Sequence, residues 1–205
     1  MSERNVTPMK FKLPIKPVYI ILIIIGILIL SGVFTSVYTV DQTELAVVLR
    51  LGKYHSTVGA GLHAKLPFGI DLVNKVPIKV QTMEFGYRTE QADIKTAYAY
   101  GDFSNETEML TGDLNIVNVE WSIQYKINDP RAWLFNVEYK EQTIRDISQS
   151  VINRLVGDRA ILSVIGSERD KIGAIAIDEM NKILQGYEMG LTITQIQLQN
   201  TRPPT

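Results

Sequence analysis

The chain has 205 residues, 45% apolar and 21% charged, with a formal charge of −1 and a sequence pI near 6.1. That size suits one ordinary domain and excludes a large multidomain enzyme, and the charge offers no basic footprint for neutralising phosphates, so nucleic acid is not an expected partner. Cys is absent and His occurs only twice, which removes disulfides, thiolate nucleophiles, iron–sulfur ligation and every zinc site built on sulfur; the composition leans against an enzyme, and no catalytic, cofactor-binding or metal-ligating residue is assigned.

From Val18 to Leu30 the chain reads VYIILIIIGILIL and stays uncharged to Tyr38, a run of 21 residues. At about 1.5 Å per helical residue this run spans roughly 31 Å, the thickness of a hydrocarbon core. Fourteen of the 21 are Val, Ile, Leu or Phe, each favouring insertion by about 0.3–0.6 kcal/mol with no Lys, Arg or Asp opposed. A cleaved signal peptide fits less well, because the run is longer than an h-region and no Ala precedes Ala46. A buried core helix would carry a polar face, and none occurs before Ser31. The reading is one transmembrane helix over 18–38. Arg4, Lys10, Lys12 and Lys16 precede it against Glu3, while Asp41 and Glu44 are the first charges after it. The positive-inside rule then makes residues 1–17 a cytoplasmic tail and 39–205 an extracytoplasmic body. Setting the tail aside leaves 17 basic and 21 acidic residues and no second span.

In the body, Glu44 to Arg50 is Val-rich and closes on Gly52-Lys53, a strand and a turn. Further strands are predicted around Leu62 to Leu66 and over Val76 to Phe85, with Pro67, Gly69 and Pro77 as punctuation. The polar stretch from Arg88 to Glu106 has no steady period and reads as a long loop. Val117, Val119, Trp121, Ile123, Tyr125 and Ile127 alternate with Asn118, Glu120, Ser122, Gln124 and Lys126. Eleven residues of strict alternation predict one long strand with a dry and a wet face.

Asn128-Asp129-Pro130 ends that strand, with Asp129 as the cap of a helix that has Pro130 at its first position. The helical face that follows carries Ile144, Ile147, Val151 and Leu155 and stops at Gly157. A second helix is predicted from an N-cap at Ser167 through Glu168 to about Gln185, with Ile172, Ala176, Met180, Ile183 and Leu184 inward. A last strand covers Leu191 to Gln199, and its apolar phase slips between Ile193 and Ile196, predicting a bulge. The fold class is α+β.

Four patterns imitate chemistry. Gly59-Ala60-Gly61-Leu62-His63-Ala64 matches G-x-G-x-x-A, yet Pro67 follows too soon for the helix such a nucleotide loop opens. His55 and His63 stand eight apart with no carboxylate at ligand spacing. Ser167 and Lys171 could form a hydrolytic dyad, but Ser167 sits where a helix needs a cap. Asn105-Glu106-Thr107 is a glycosylation sequon by pattern alone.

Taken in order, Arg50-Leu51-Gly52-Lys53, Val58 through Pro67, Thr111 through Val117 with Val119-Glu120 and Gln124 through Ile127, and Asp129-Pro130 resemble the SPFH (band 7, prohibitin-homology) family of stomatin, prohibitin, flotillin and HflK/HflC. Phe85 through Thr89, Leu134 through Val137, Thr143 through Asp146, and Tyr187 through Gly190 on to Arg202-Pro203-Pro204 are most similar to the HflK branch. The resemblance covers about Tyr38 to Pro204. It implies a membrane-anchored scaffold, not an enzyme, in the bacterial inner membrane. The implied partners are the lipid bilayer, an HflC-like paralogue and an FtsH-like membrane protease, with self-association into a hetero-oligomeric ring or cage. A stomatin-like scaffold of membrane microdomains or channels is the alternative on the same fold. Family members continue past Arg-Pro-Pro into a long coiled-coil helix, which is not among these 205 residues.

Overall fold

The computed structural model describes residues 17–87, 104–166 and 168–202. Helix α1 (Pro17–Thr35) contains the apolar run and exposes nearly all of it. Strand β1 (Val37–Val40) follows and pairs antiparallel with β4 (Gly61–Ala64) as a separate ribbon, Val37 opposite Ala64. The helix therefore ends before Tyr38. Its last turn is closed by hydroxyls: Thr35 Oγ1 donates to the Ser31 and Gly32 carbonyls, each at 3.1 Å, and Ser36 Oγ to Gly32 O at 2.7 Å. The Gly32 carbonyl, which would accept from Ser36 N if the helix went on, takes these hydroxyls instead, and Ser36 N turns to Val33 O at 3.3 Å.

A three-stranded antiparallel sheet holds β2 (Glu44–Arg50) between β3 (Lys53–Val58) and β5 (Asp71–Pro77). The predicted strand over Val76 to Phe85 is two strands, because Pro77 has no amide to continue a ladder and Ile78 N turns to Thr43 O at 2.9 Å. The second piece, β6 (Gln81–Phe85), belongs to the other sheet.

That sheet is organised by β8 (Ile116–Ile127), the long alternating strand. It pairs with β9 (Leu191–Arg202) along one edge and with β6 and the short β7 (Glu108–Leu110) in succession along the other. The odd-numbered residues Val117 to Ile127 form the dry face. On the other face Lys126 is exposed as expected, but Ser122 is buried. The bulge in β9 is present: Gln124 pairs with Gln195 while Tyr125 pairs with Ile193.

Helices cover the dry face. Asp129 caps α3 (Pro130–Phe135), its Oδ1 accepting from Arg131 N at 2.9 Å and Ala132 N at 3.2 Å. The helix stops at Phe135 and a new one, α4 (Lys140–Gly157), buries Ile144, Ile147, Val151 and Leu155. Gly157 lies inside α4, and Asp158 is the C-cap. A short α5 (Ile161–Ile165) leads to α6 (Arg169–Gly186), where Ile172, Ala176, Met180 and Leu184 point inward with Gly173. Ile183 is 37% exposed, off the predicted face, whereas Gly173 lies on it because its missing Cβ lets the Ile196 carbonyl approach. The expected cap Ser167 lies outside the described residues, as does the loop at 88–103; residues 104–106 belong to a helical turn, α2 (Ser104–Thr107), rather than to a loop.

Trp121 is the centre of the core. It is fully buried, stacks on Phe85 with centroids 4.5 Å apart, and donates Nε1–H to Ser148 Oγ at 2.9 Å. Burying each such aromatic or aliphatic side chain stabilises by about 1.5–3 kcal/mol, and the hydrogen bond removes the cost of burying the indole N–H.

Candidate functional site at the anchor–body junction

The segment between β4 and β5 brings the body against the membrane-length helix. Pro67 O accepts from Ile70 N at 3.3 Å, closing a turn in which Phe68 has φ +61°. For an L-residue this conformation costs free energy and persists only where surroundings impose it. What imposes it is Asp71, buried at the first position of β5. Its carboxylate accepts from Arg50 Nε at 2.9 Å, from Arg50 Nη2 at 3.1 Å and from Leu66 N at 2.9 Å. Arg50 and Asp71 are also cross-strand partners in the β2–β5 register, so two-point ion pairing and the ladder reinforce each other. The guanidinium and then the Leu66 amide hold the Asp71 carboxyl down at about 2.

The turn aims Phe68 at α1. A Cβ on Gly32 would lie 3.2 Å from the Phe68 ring, so the glycine makes room for the contact. Phe68 remains 64% exposed, and Leu66 and Leu72, which line the same cleft beside α1, are exposed as well. Ser36 O accepts from Lys65 N at 2.7 Å, a second tie between the end of the helix and the body.

The patterns singled out in the sequence lie elsewhere or apart. Gly61 opens a strand, not a helix, so the Gly59–Ala64 run has no helix N-terminus to face a pyrophosphate. His63 bonds Gly59 O at 2.8 Å and sits 5.7 Å from the Tyr38 ring, while His55 is exposed on β3. Among the described residues no three His, Asp or Glu side chains group as a metal site. Lys171 is exposed on α6, and Ser167, its would-be partner, is not described. Asn105 lies in α2. Sequence reasoning marked Arg50 only as part of a motif and passed over Asp71 and Gly32. The usable signal was an Arg closing one predicted strand with an Asp following the Pro67–Gly69 turn.

A mixed α+β body behind one apolar helix long enough to cross a bilayer defines the class of protein. The profile of the SPFH domain / Band 7 family matches residues 38–205, and the chain belongs to that family. Within it the similarity runs to HflK proteins. The chain is 49% identical over 184 residues to HflK of Treponema pallidum (88% of this chain, 55% of that protein) and 41% identical over 187 residues to HflK of Borreliella burgdorferi (91% and 59%). It is 27% identical over 167 residues to the Modulator of FtsH protease HflK of Escherichia coli (82% and 35%). The chain thus spans somewhat over half the length of the first two.

Proposed function

We propose that this chain is an HflK-like, membrane-anchored scaffold subunit that acts by binding rather than catalysis. Residues 1–17 lie in the cytoplasm, the apolar helix crosses the inner membrane once, and the body from residue 39 onward stands outside the cytoplasm. The body associates with an HflC-like paralogue and with further copies into a ring or cage, and it bears on an FtsH-like membrane protease by limiting that protease's access to membrane substrates. In the plane of a bilayer even small side-to-side contacts are effective, because the anchor confines the bodies and raises their effective concentration.

The observation that carries this reading is the 49% identity to an HflK that runs through 88% of the chain, supported by an anchor helix seated on the body at Gly32 and Phe68. The name of the Escherichia coli relative supplies the protease. The test is affinity purification of the chain from native membranes in mild detergent. Co-elution of an HflC-like paralogue and an FtsH-like protease is the expected result. Elution without the protease would move the function to the stomatin-like alternative, a scaffold of membrane microdomains or channels.

A further inference from the structure

The junction between α1 and the body encloses a cleft of about 310 Å³. Ser31 and Thr35 on the last turns of α1 form one wall, and Lys65, Phe68 and Leu72 form the other. Asp71 also reaches the cleft, but Arg50 and the Leu66 amide occupy its carboxylate, so that acidic charge is balanced. Lys65 has no ion pair among the described residues. At the end of α1 the Gly32 carbonyl accepts from the Thr35 and Ser36 hydroxyls and the Val33 carbonyl from Ser36 N, which satisfies part of the negative end of the helix. What remains is one uncompensated cation and one serine hydroxyl beside two apolar side chains.

Depth identifies the occupant. With Val18 at one face of a hydrocarbon core about 30 Å thick, Thr35 lies roughly 26 Å along the helix axis, within about 4 Å of the opposite face, and Ser31 lies one turn deeper among the acyl chains. A cleft at that level that is cationic at one point and apolar along Phe68 and Leu72 suits an amphiphile better than a free ion. We propose that it binds one anionic phospholipid, with the headgroup phosphate at Lys65 and an acyl chain running past Ser31, Phe68 and Leu72. This inference rests on α1 crossing the bilayer.

The experiment uses the full chain in nanodiscs containing equal amounts of palmitoyl-oleoyl phosphatidylglycerol and phosphatidylcholine, followed by native mass spectrometry of the lipid retained on release. The wild type should retain phosphatidylglycerol preferentially. Lys65→Gln should lower that preference about fivefold, the ratio equivalent to about 1 kcal/mol for one cation at an anionic surface, and Lys65→Arg should keep it. Lys53→Gln, an exposed cation on β3, should leave it unchanged. Equal preference in wild type and Lys65→Gln would overturn the proposal, and so would release of the lipid by millimolar inorganic phosphate, which would mark a site for the free ion. If Lys65→Gln lowers the melting temperature, Leu72→Asp on the apolar wall replaces it, and undiminished retention there is equally adverse. A chain that fails to enter nanodiscs at all would instead defeat the reading of α1 as an anchor.

Discussion

Arg50 and Asp71 face each other across the β2–β5 ladder and join through two parallel hydrogen bonds of 2.9 and 3.1 Å, while the third bond to Asp71, from Leu66 N, ties in the turn that carries Phe68. The ion pair is therefore the point at which the small sheet holds the segment that meets the anchor. Its charge state should govern the junction.

The sign of the pH dependence follows from the depressed carboxyl. Asp71 titrates at about 2 when folded, against 3.8 ordinarily, so its contribution to stability is fully present above about pH 4 and is lost as pH falls towards 2. Asp113, held low first by the Thr111 hydroxyl, works in the same direction. Denaturant unfolding of the chain in micelles should show stability declining between pH 4 and pH 2. Asp71→Asn should be less stable at pH 7 and flatter with pH; a variant as acid-sensitive as wild type would show that other carboxylates dominate.

In the core, Trp121→Ala should destabilise the body by about 3–5 kcal/mol. Gln124→Ala, on the opposite face of β8, should cost less than about 1 kcal/mol. Ser148→Ala removes the acceptor of the buried indole N–H and should cost about 1–3 kcal/mol. Chemical denaturation of the three variants checks the order, and equal losses at Trp121 and Gln124 would mean that both faces of β8 carry the core.

Asn181 imitates a neighbouring strand. From α6 its Oδ1 accepts from Ile193 N at 2.8 Å and its Nδ2 donates to Ile193 O at 3.1 Å, closing part of the outer edge of β9. Asn181→Ala should cost about 1–3 kcal/mol by leaving those backbone groups without partners, and the freed edge should promote strand-to-strand association. Light scattering during a thermal ramp should show earlier aggregation than in wild type, and an unchanged onset would count against the role.

Gly190 is irreplaceable for two reasons that coincide. It has φ +69°, and a Cβ there would stand 2.5 Å from Asp129 O, against the cap of α3. Gly190 O also accepts from Asn128 N and Asp129 N. Gly190→Ala should therefore lose more than about 1 kcal/mol, with a clear drop in melting temperature. A neutral result would mean that the β8–α3 corner can shift.

Membrane orientation is testable because the chain has no native Cys. An impermeant thiol reagent should label Ser150→Cys, exposed on α4, in cells with a permeabilised outer barrier and should not label Ser2→Cys. The reverse pattern would invert the proposed topology. Ile25→Arg at the middle of α1 should cost about 3 kcal/mol of insertion.

Where one periodicity governs an uninterrupted segment, the sequence was sufficient. The apolar run and strand β2 follow from local composition, the dry face of β8 and the bulge in β9 from a spacing of two, and the Asp129 cap from a residue next to its own helix, and such signals act over a few neighbouring residues. The tertiary structure decided the rest. Only the meeting of distant segments splits Val76 to Phe85 between two sheets, ends α1 at Thr35 so that Val37 can pair with Ala64, and turns Ile183 outward while Gly173 faces β9. The same holds for Arg50 with Asp71, Trp121 with Ser148, and Phe68 with Gly32: each partner satisfies the other's charge, donor or volume across sequence separations of 21, 27 and 36. Local pattern specifies which face of an element is apolar, but which element covers that face is settled by packing and hydrogen-bond satisfaction over the whole chain.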